Sequence, residues 1–474
     1  MITQELERIL SESFPFTPTV EQQEAFSAFV RFLDEESSSV LILKGAAGTG
    51  KTEVAATFVK TLVALRQKIL LLAPTGRAAK VFSLASGHPA YTIHRRIYRG
   101  QLDSPEHSSF KLNYAKMRDA VVLVDEASMI SNSGGFDAMF GSGRLLDDLV
   151  QYVFGGENCK LVLIGDWAQL PPVGEETSPA LSPQVMGGYG LKVFEVRLSQ
   201  VLRQQTQSGI LFNATVVRGL LERDEETMLP KIRFHGFADI VRVPGDELIE
   251  SLYTSHTEVG ADETIVVTRS NKRAGIYNNG IRGRVLGREE ELSSGDMVMV
   301  VRNNYFWAEK EKINLEFIAN GDRARVMRVR NQRSFYGFRF ADVTMQMPDY
   351  DDVELTCTVL LDTLQTEAPA LTAEQHEALF NAVMEDYADL PTKSERMEQM
   401  RKDIYYNALQ IKYAYAVTCH KAQGGQWAHV YVDQGYMTDE MLTPDYLHWL
   451  YTAFTRATEK LFLVNWPEKQ VEEQ

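Results

Sequence analysis

Short apolar runs that end in polar or glycine-rich clusters recur along the chain. Val40–Leu43 leads into GAAGTGKT, Ile69–Leu72 into APTGRAAK, Val121–Val124 into DEAS, and Leu161–Ile164 into GDWAQLPPVG. Strands covered on both faces are apolar throughout, so these runs predict a parallel sheet. In open sheets of this kind, ligands sit beyond the carboxyl ends of the strands. The clusters should therefore converge in space. Between the first two runs Val54, Phe58, Leu62 and Leu65 recur at helical spacing and predict an amphipathic helix.

A second series starts near residue 196: Thr264–Val267, Ala414–Val417 leading into TCHKAQGG, His429–Val432 and Leu461–Val464. It predicts a second α/β domain. A different pattern interrupts it from about 285 to 411. Val353, Leu355, Cys357, Val359 and Leu361 alternate with other residues, the period of a half-buried antiparallel strand, and Met297–Val301, Ala324–Arg330 and Phe335–Phe340 are strand-like. These runs predict a small β-barrel insert. Thr372 with Gln375, and Thr392 with Glu395, form capping boxes that open two acidic, polar helices expected to project into solvent.

The chain has 474 residues, with 64 acidic and 49 basic side chains, for a formal charge of −15. That excludes a wholly basic DNA-coating protein and leaves room for a locally basic groove. No apolar run reaches the ~18 residues of a membrane span, and the first residues include Glu5 and Glu7 in place of a basic leader. A cytoplasmic protein is expected. Cys159, Cys357 and Cys419 are scattered and odd in number, which supports neither a disulfide framework nor a zinc site.

Gly45-Ala46-Ala47-Gly48-Thr49-Gly50-Lys51-Thr52 matches G-x-x-x-x-G-K-[ST] between a strand and a helix, the context this phosphate loop requires. Its backbone amides are expected to surround the phosphates of ATP. Lys51 would span the β- and γ-phosphates, Thr52 and Asp125 would hold Mg²⁺, and Glu126 would orient the attacking water. Gln169, just past the next strand, is placed to bond both the γ-phosphate and that water. Phosphoryl transfer gains from a guanidinium delivered when two lobes close, for which Arg203 in LSQVLRQ and Arg456 in YTAFTRA are the candidates.

Taken in order, GAAGTGKT, APTGRAAK, TIHR, VDEAS, GDWAQLPPVG, LSQVLRQ, VTCHKAQG and YTAFTRA resemble the motifs of superfamily 1 DNA helicases, most closely the 5′-to-3′ branch typified by RecD and Dda. The resemblance spans both α/β units. It implies two RecA-like P-loop domains, at 1–195 and at 196–284 with 412–474. The first would carry a β-hairpin "pin" at about 96–118, and the second an SH3-like barrel with a helical extension at 285–411. It implies that Gln22, in Pro18-Thr19-Val20-Glu21-Gln22, reads adenine. It further implies that single-stranded DNA contacts Pro74, Thr75, Thr92, His94, Thr418 and His420. Hydroxyls and imidazoles suit phosphates, and proline and aromatic faces suit bases passed along without sequence preference. Phe110 is expected to meet the DNA at the pin, with Tyr98 as the alternative. The activity implied is ATP-dependent unwinding by a functional monomer in replication, recombination or repair, alongside single-strand-binding or other repair proteins. Competing readings are a translocase or ATPase subunit that displaces proteins without unwinding, and a small-molecule P-loop kinase, which DNA would not stimulate.

Overall fold

The computed structural model describes residues 2–101, 109–114, 117–134, 141–201, 207–223, 228–311, 317–438 and 441–473. The first lobe is built on β1 (Ser39–Gly45), β2 (Lys68–Ala73) and β3 (Ala90–Thr92). It continues, after a small hairpin of β4 (Tyr98–Gln101) and β5 (Ser109–Leu112), with β6 (Ala120–Val124), β7 (Lys160–Gly165) and β8 (Lys192–Leu198). Six of these strands form one parallel sheet in the order β3-β2-β6-β7-β1-β8, and β4 and β5 pair antiparallel beside it.

The apolar runs are continuous because the sheet is covered twice. Val40, Ile42, Leu70, Leu72, Val122 and Leu161 enter one core, whereas Leu41, Leu43, Leu71, Val121, Leu123 and Val162 enter the other. Successive strand residues point to opposite faces, so each run feeds both. The helix Lys51–Ala64 buries Val54, Phe58 and Leu62. Leu65, expected to complete that stripe, caps the helix instead and is half exposed, because Arg66 at φ 58° turns the chain away. β8 carries no contiguous apolar run, yet it closes the sheet edge beside β1 and extends it to Leu198.

The second lobe holds β9 (Ile240–Val243) and β10 (Thr264–Thr268). The chain then leaves to form a closed barrel of β11 (Met297–Val300), β12 (Arg323–Phe335), β13 (Phe338–Met347), β14 (Val353–Leu360) and β15 (Leu409–Tyr413). Tyr336 and Gly337, at φ 56° and 76°, make a two-residue turn between β12 and β13, a turn that favours positive φ at both positions. The strand expected at Phe335–Phe340 is therefore split by this turn, giving one long hairpin. β14 pairs parallel with β15, which demands a long crossover, and the helices Ala373–Asp386 and Lys393–Lys402 occupy it. Both helices begin with the expected capping boxes. They do not simply project into solvent: Leu379, Val383 and Met400 form a narrow apolar stripe buried against Phe338, Phe340 and Leu360 of the barrel.

β15 is followed after two residues by β16 (Ala416–Thr418). With β17 (Trp427–Asp433) and β18 (Ala457–Val464) it completes a second parallel sheet in the order β16-β10-β17-β18-β9. At the junction, the Asn278 side-chain oxygen accepts from the backbone N–H groups of Tyr415 and Ala416, at 3.0 and 2.8 Å, and its amide donates to Ala416 O. One apolar cluster runs through the second sheet and the barrel, so the two share a core. Among the described residues, no helix is long and apolar enough to cross a membrane.

Candidate functional site

The phosphate loop follows the carboxyl end of β1. Gly48 and Gly50 take φ of 77° and 76°, the left-handed region that glycine tolerates, and the turn delivers the chain into the helix Lys51–Ala64. The Thr49 hydroxyl donates to Ala46 O at 2.8 Å, and the Lys51 ammonium to Gly45 O at 3.1 Å. Gln22 is buried beneath the loop. Its side-chain oxygen accepts from Thr19 N, closing a capping box, and its amide donates to Thr49 O at 3.1 Å. Gln22 thus ties its own helix start to the loop.

Asp125 stands at the end of β6 and accepts from the Glu126 amide at 2.9 Å. Burial and the neighbouring Glu126 carboxylate raise its pKa, and Lys51 opposes them. Glu126 holds a left-handed φ of 51°, and its Oε2 is buried without a hydrogen-bond partner. Gln169 is buried as well, with Oε1 unpartnered. A backbone outlier at Glu126 and an orphaned buried acceptor on each of Glu126 and Gln169 are features that packing alone does not call for. Among the described residues no group of three or more His, Cys, Asp or Glu side chains makes a metal cage. Asp125 at the end of β6 and Thr52 at the start of the helix Lys51–Ala64 offer the one or two protein oxygens that a Mg²⁺ ion takes when phosphates and water complete its shell.

The second lobe closes over this loop. Tyr451, on the helix Pro444–Phe454, accepts from Ala47 N at 2.8 Å and donates to the Asp166 carboxylate at 2.6 Å. Leu170 N donates to the Thr452 hydroxyl at 2.7 Å, Gln423 donates to Leu170 O at 2.7 Å, and His448 lies 2.9 Å from Ala168 O. These bonds fasten the GDWAQL segment of one lobe to the VTCHKAQG and YTAFTRA segments of the other. Asp166 is desolvated, which raises its pKa. Arg218, also in the second lobe, is buried; it donates to Ser199 O at 3.3 Å, and its Nε has no hydrogen-bond acceptor.

Arg456 is buried with its guanidinium on Thr452 O (3.0 Å), Gly425 O (3.1 Å) and the Thr455 hydroxyl (3.2 Å). In this arrangement it braces its own lobe. Arg203 lies outside the described residues. Tyr451, Asp166 and Arg218 carry the seam or border it, yet none stood out in the sequence. Tyr451 and Asp166 sit inside motifs whose neighbouring residues draw the eye, and Arg218 sits in no motif.

The expected DNA-contacting residues lie at carboxyl ends of strands in both sheets. Thr75 follows β2 and caps the next helix by accepting from Ala78 N, and Thr92 does the same for Arg95 N. Each hydroxyl keeps its own proton to donate. Thr418 makes no such capping bond, and His420 is exposed. Gly424, at φ 71°, approaches so near Thr75 that an added Cβ would lie 2.9 Å from its hydroxyl, so the two lobes meet on this face too. His94 stacks obliquely by Tyr98, ring centres 5.7 Å apart. Tyr98 is buried and bonded to Asp148 at 2.6 Å, which removes it as the pin aromatic. Phe110 lies on β5 of the hairpin.

Residues 33–175 match the family described as AAA domain, and 413–464 match the UvrD-like helicase C-terminal domain. The ATP-dependent RecD2 DNA helicase of Deinococcus radiodurans is 25% identical over 455 residues, covering 91% of this chain and 48% of that one. The ATP-dependent DNA helicase dda of Enterobacteria phage T4 is 30% identical over 164 residues, 33% of this chain and 34% of the phage protein. The chain is thus similar, across both lobes, to helicases of the RecD and Dda type. It spans about half the length of the Deinococcus relative. An uncharacterised protein of Acanthamoeba polyphaga mimivirus is 22% identical over 93% of this chain and 98% of its own. Among solved structures, Pif1 helicase from Bacteroides in complex with ADP-AlF3 and ssDNA aligns at a TM-score of 0.48 and 14% identity, covering 96% of this chain and 94% of that one.

Proposed function

We propose that the chain is an ATP-driven DNA helicase that moves 5′ to 3′ on single-stranded DNA and separates the duplex ahead of it. ATP would be hydrolysed between the two lobes. The observation that carries this is the seam: Tyr451 of one lobe bonds the phosphate loop of the other, so whatever binds that loop acts directly on the spacing between lobes. Change in that spacing is what a motor converts into movement.

In this reading the amides of Gly45–Thr52 and the Lys51 ammonium hold the phosphates, with Gln22 beside them on the adenine side. Thr52 and Asp125 hold Mg²⁺, which when bound would neutralise developing charge on the phosphates. Glu126 accepts a proton from the attacking water, and Gln169 orients that water. Arg456, and Arg203 with it, would reach the γ-phosphate on further closure. Single-stranded DNA would cross the carboxyl-end face past Pro74, Thr75, Thr92 and His94 in one lobe and Thr418 and His420 in the other. The β4–β5 hairpin with Phe110 would part the strands.

The test is ATP turnover with and without single-stranded DNA, followed by unwinding of duplexes with a 5′ or a 3′ overhang. DNA should stimulate turnover, and only the 5′ overhang should be unwound. Lys51→Ala should abolish both activities. Unwinding from the 3′ overhang alone would reverse the direction, and turnover indifferent to DNA would remove the motor.

A further inference from the structure

Tyr451 is 1% exposed although its side chain leaves its own lobe, and the hydroxyl ends on two groups of the other. One is Ala47 N–H, at the third position of the phosphate loop; the other is Asp166, whose second carboxylate oxygen is fixed by Ala168 N at 3.1 Å. Asp166 therefore holds the phenol proton in one direction. The lone pairs turn toward Ala47, where the loop amides converge on phosphate oxygens. A tyrosine oxygen here occupies the same kind of position as a phosphate oxygen, accepting from the same amide. Burial and the Asp166 charge push the phenol pKa well up, so the hydroxyl stays neutral and works only as a hydrogen-bonding group.

We propose that Tyr451 is a positioning residue that latches the second lobe to the phosphate loop and is displaced from Ala47 by the terminal phosphates of the nucleotide. The proposal rests on the phosphate loop being the ATP site. The Ala47 amide can serve one acceptor well. When a phosphate oxygen takes it, Tyr451 keeps its bond to Asp166 and the helix Pro444–Phe454 is released by one tether. That helix bonds Leu170 through Thr452, and Thr452 O also receives the Arg456 guanidinium. Release at Tyr451 therefore reaches both the GDWAQL segment and the arginine expected to assist hydrolysis. No bond is made or broken except hydrogen bonds, and no proton changes owner.

Tyr451→Phe removes the hydroxyl and keeps the ring, so it separates the latch from packing. Titration of the full chain with a non-hydrolysable ATP analogue, ADP and AMP should show the variant binding the first two about 2- to 10-fold more tightly, the factor one net hydrogen bond represents. AMP, which lacks the terminal phosphates, should bind equally to both proteins. DNA-stimulated kcat should fall while KM for ATP does not rise. Hydrogen exchange of the loop peptide without nucleotide should quicken in the variant. Tyr451→Met, read by the same titrations, serves if the Phe protein does not purify folded. Equal affinities and equal kcat in wild type and variant would overturn the latch, and so would weaker binding by the variant, since the hydroxyl would then be a ligand contact. A wild-type protein that binds no nucleotide would instead remove the ATP-site reading on which the latch depends.

Discussion

Glu126 shows what a single residue can disclose. A left-handed φ costs a residue with a Cβ about 1–2 kcal/mol, and this one also buries an unpartnered carboxylate oxygen. No hydrogen bond at Oε2 offsets that cost, and the role proposed for Glu126, accepting the proton of the attacking water, would account for it. Glu126→Gln should leave nucleotide binding intact and lower DNA-stimulated kcat by about 10²-fold or more, the range for loss of a general base. Glu126→Gly should be inactive and yet unfold at a higher temperature, by the equivalent of up to about 1 kcal/mol, because glycine relieves the strain. An active Gly variant would end the assignment. The phosphate loop and the Asp125-Glu126 pair were legible in the sequence because each is a local rule, a spacing between a strand and a helix. Tyr451 was not, since its partner Ala47 lies 404 residues away and no spacing connects them.

At the scale of elements, the barrel carries its own electrostatic signature at the start of β12. Asp322 is buried, accepts from Tyr350 and from Ala319 N, and has its pKa raised to about 7, chiefly by burial. The folded protein thus keeps a proton that the unfolded chain gives up near pH 4. The contribution of this carboxyl to stability is fully present below about pH 4 and is lost progressively as pH rises to about 7, by on the order of 2–4 kcal/mol. Urea midpoints measured from pH 5 to 8 should fall accordingly, and Asp322→Asn should flatten the profile; an unchanged slope would exclude this carboxyl as the source. Strands with continuous apolar runs, such as β1 and β6, announced themselves. β8 and β9 did not, because β8 exposes alternate residues at a sheet edge and β9 is four residues long. The stripe on the helix Ala373–Asp386 was hidden by acidic neighbours, since only Leu379 and Val383 are buried.

Over the whole molecule, the barrel touches the first lobe as well as the second. Lys80 donates to Pro348 O, and the Arg77 guanidinium, which donates to Gln426 O, lies over the Trp427 ring at 4.4 Å with Arg323 of the barrel 5.5 Å from the same ring. Tyr350 of the barrel presses on Gly76, where an added Cβ would fall 2.5 Å from its hydroxyl. Gly76→Ala should therefore loosen this joint, lowering thermal stability by about 1–3 kcal/mol as overpacking does. Pairing it with Tyr350→Ala should remove most of that penalty; additive losses would show that the contact is not the cause. None of this three-way meeting was readable from the chain, because each contributor looks like an ordinary surface residue in its own segment.

β15 becomes β16 within two residues, clamped by Asn278, and β16 ends at Thr418 with His420 just beyond. The insert is thus geared to the edge proposed to face the track by a stiff axle with no slack coupling. Swapping it for a neutral spacer would do more than delete a module: it would let Thr418 and His420, the residues proposed to grip the strand, drift out of phase with the sheet below them.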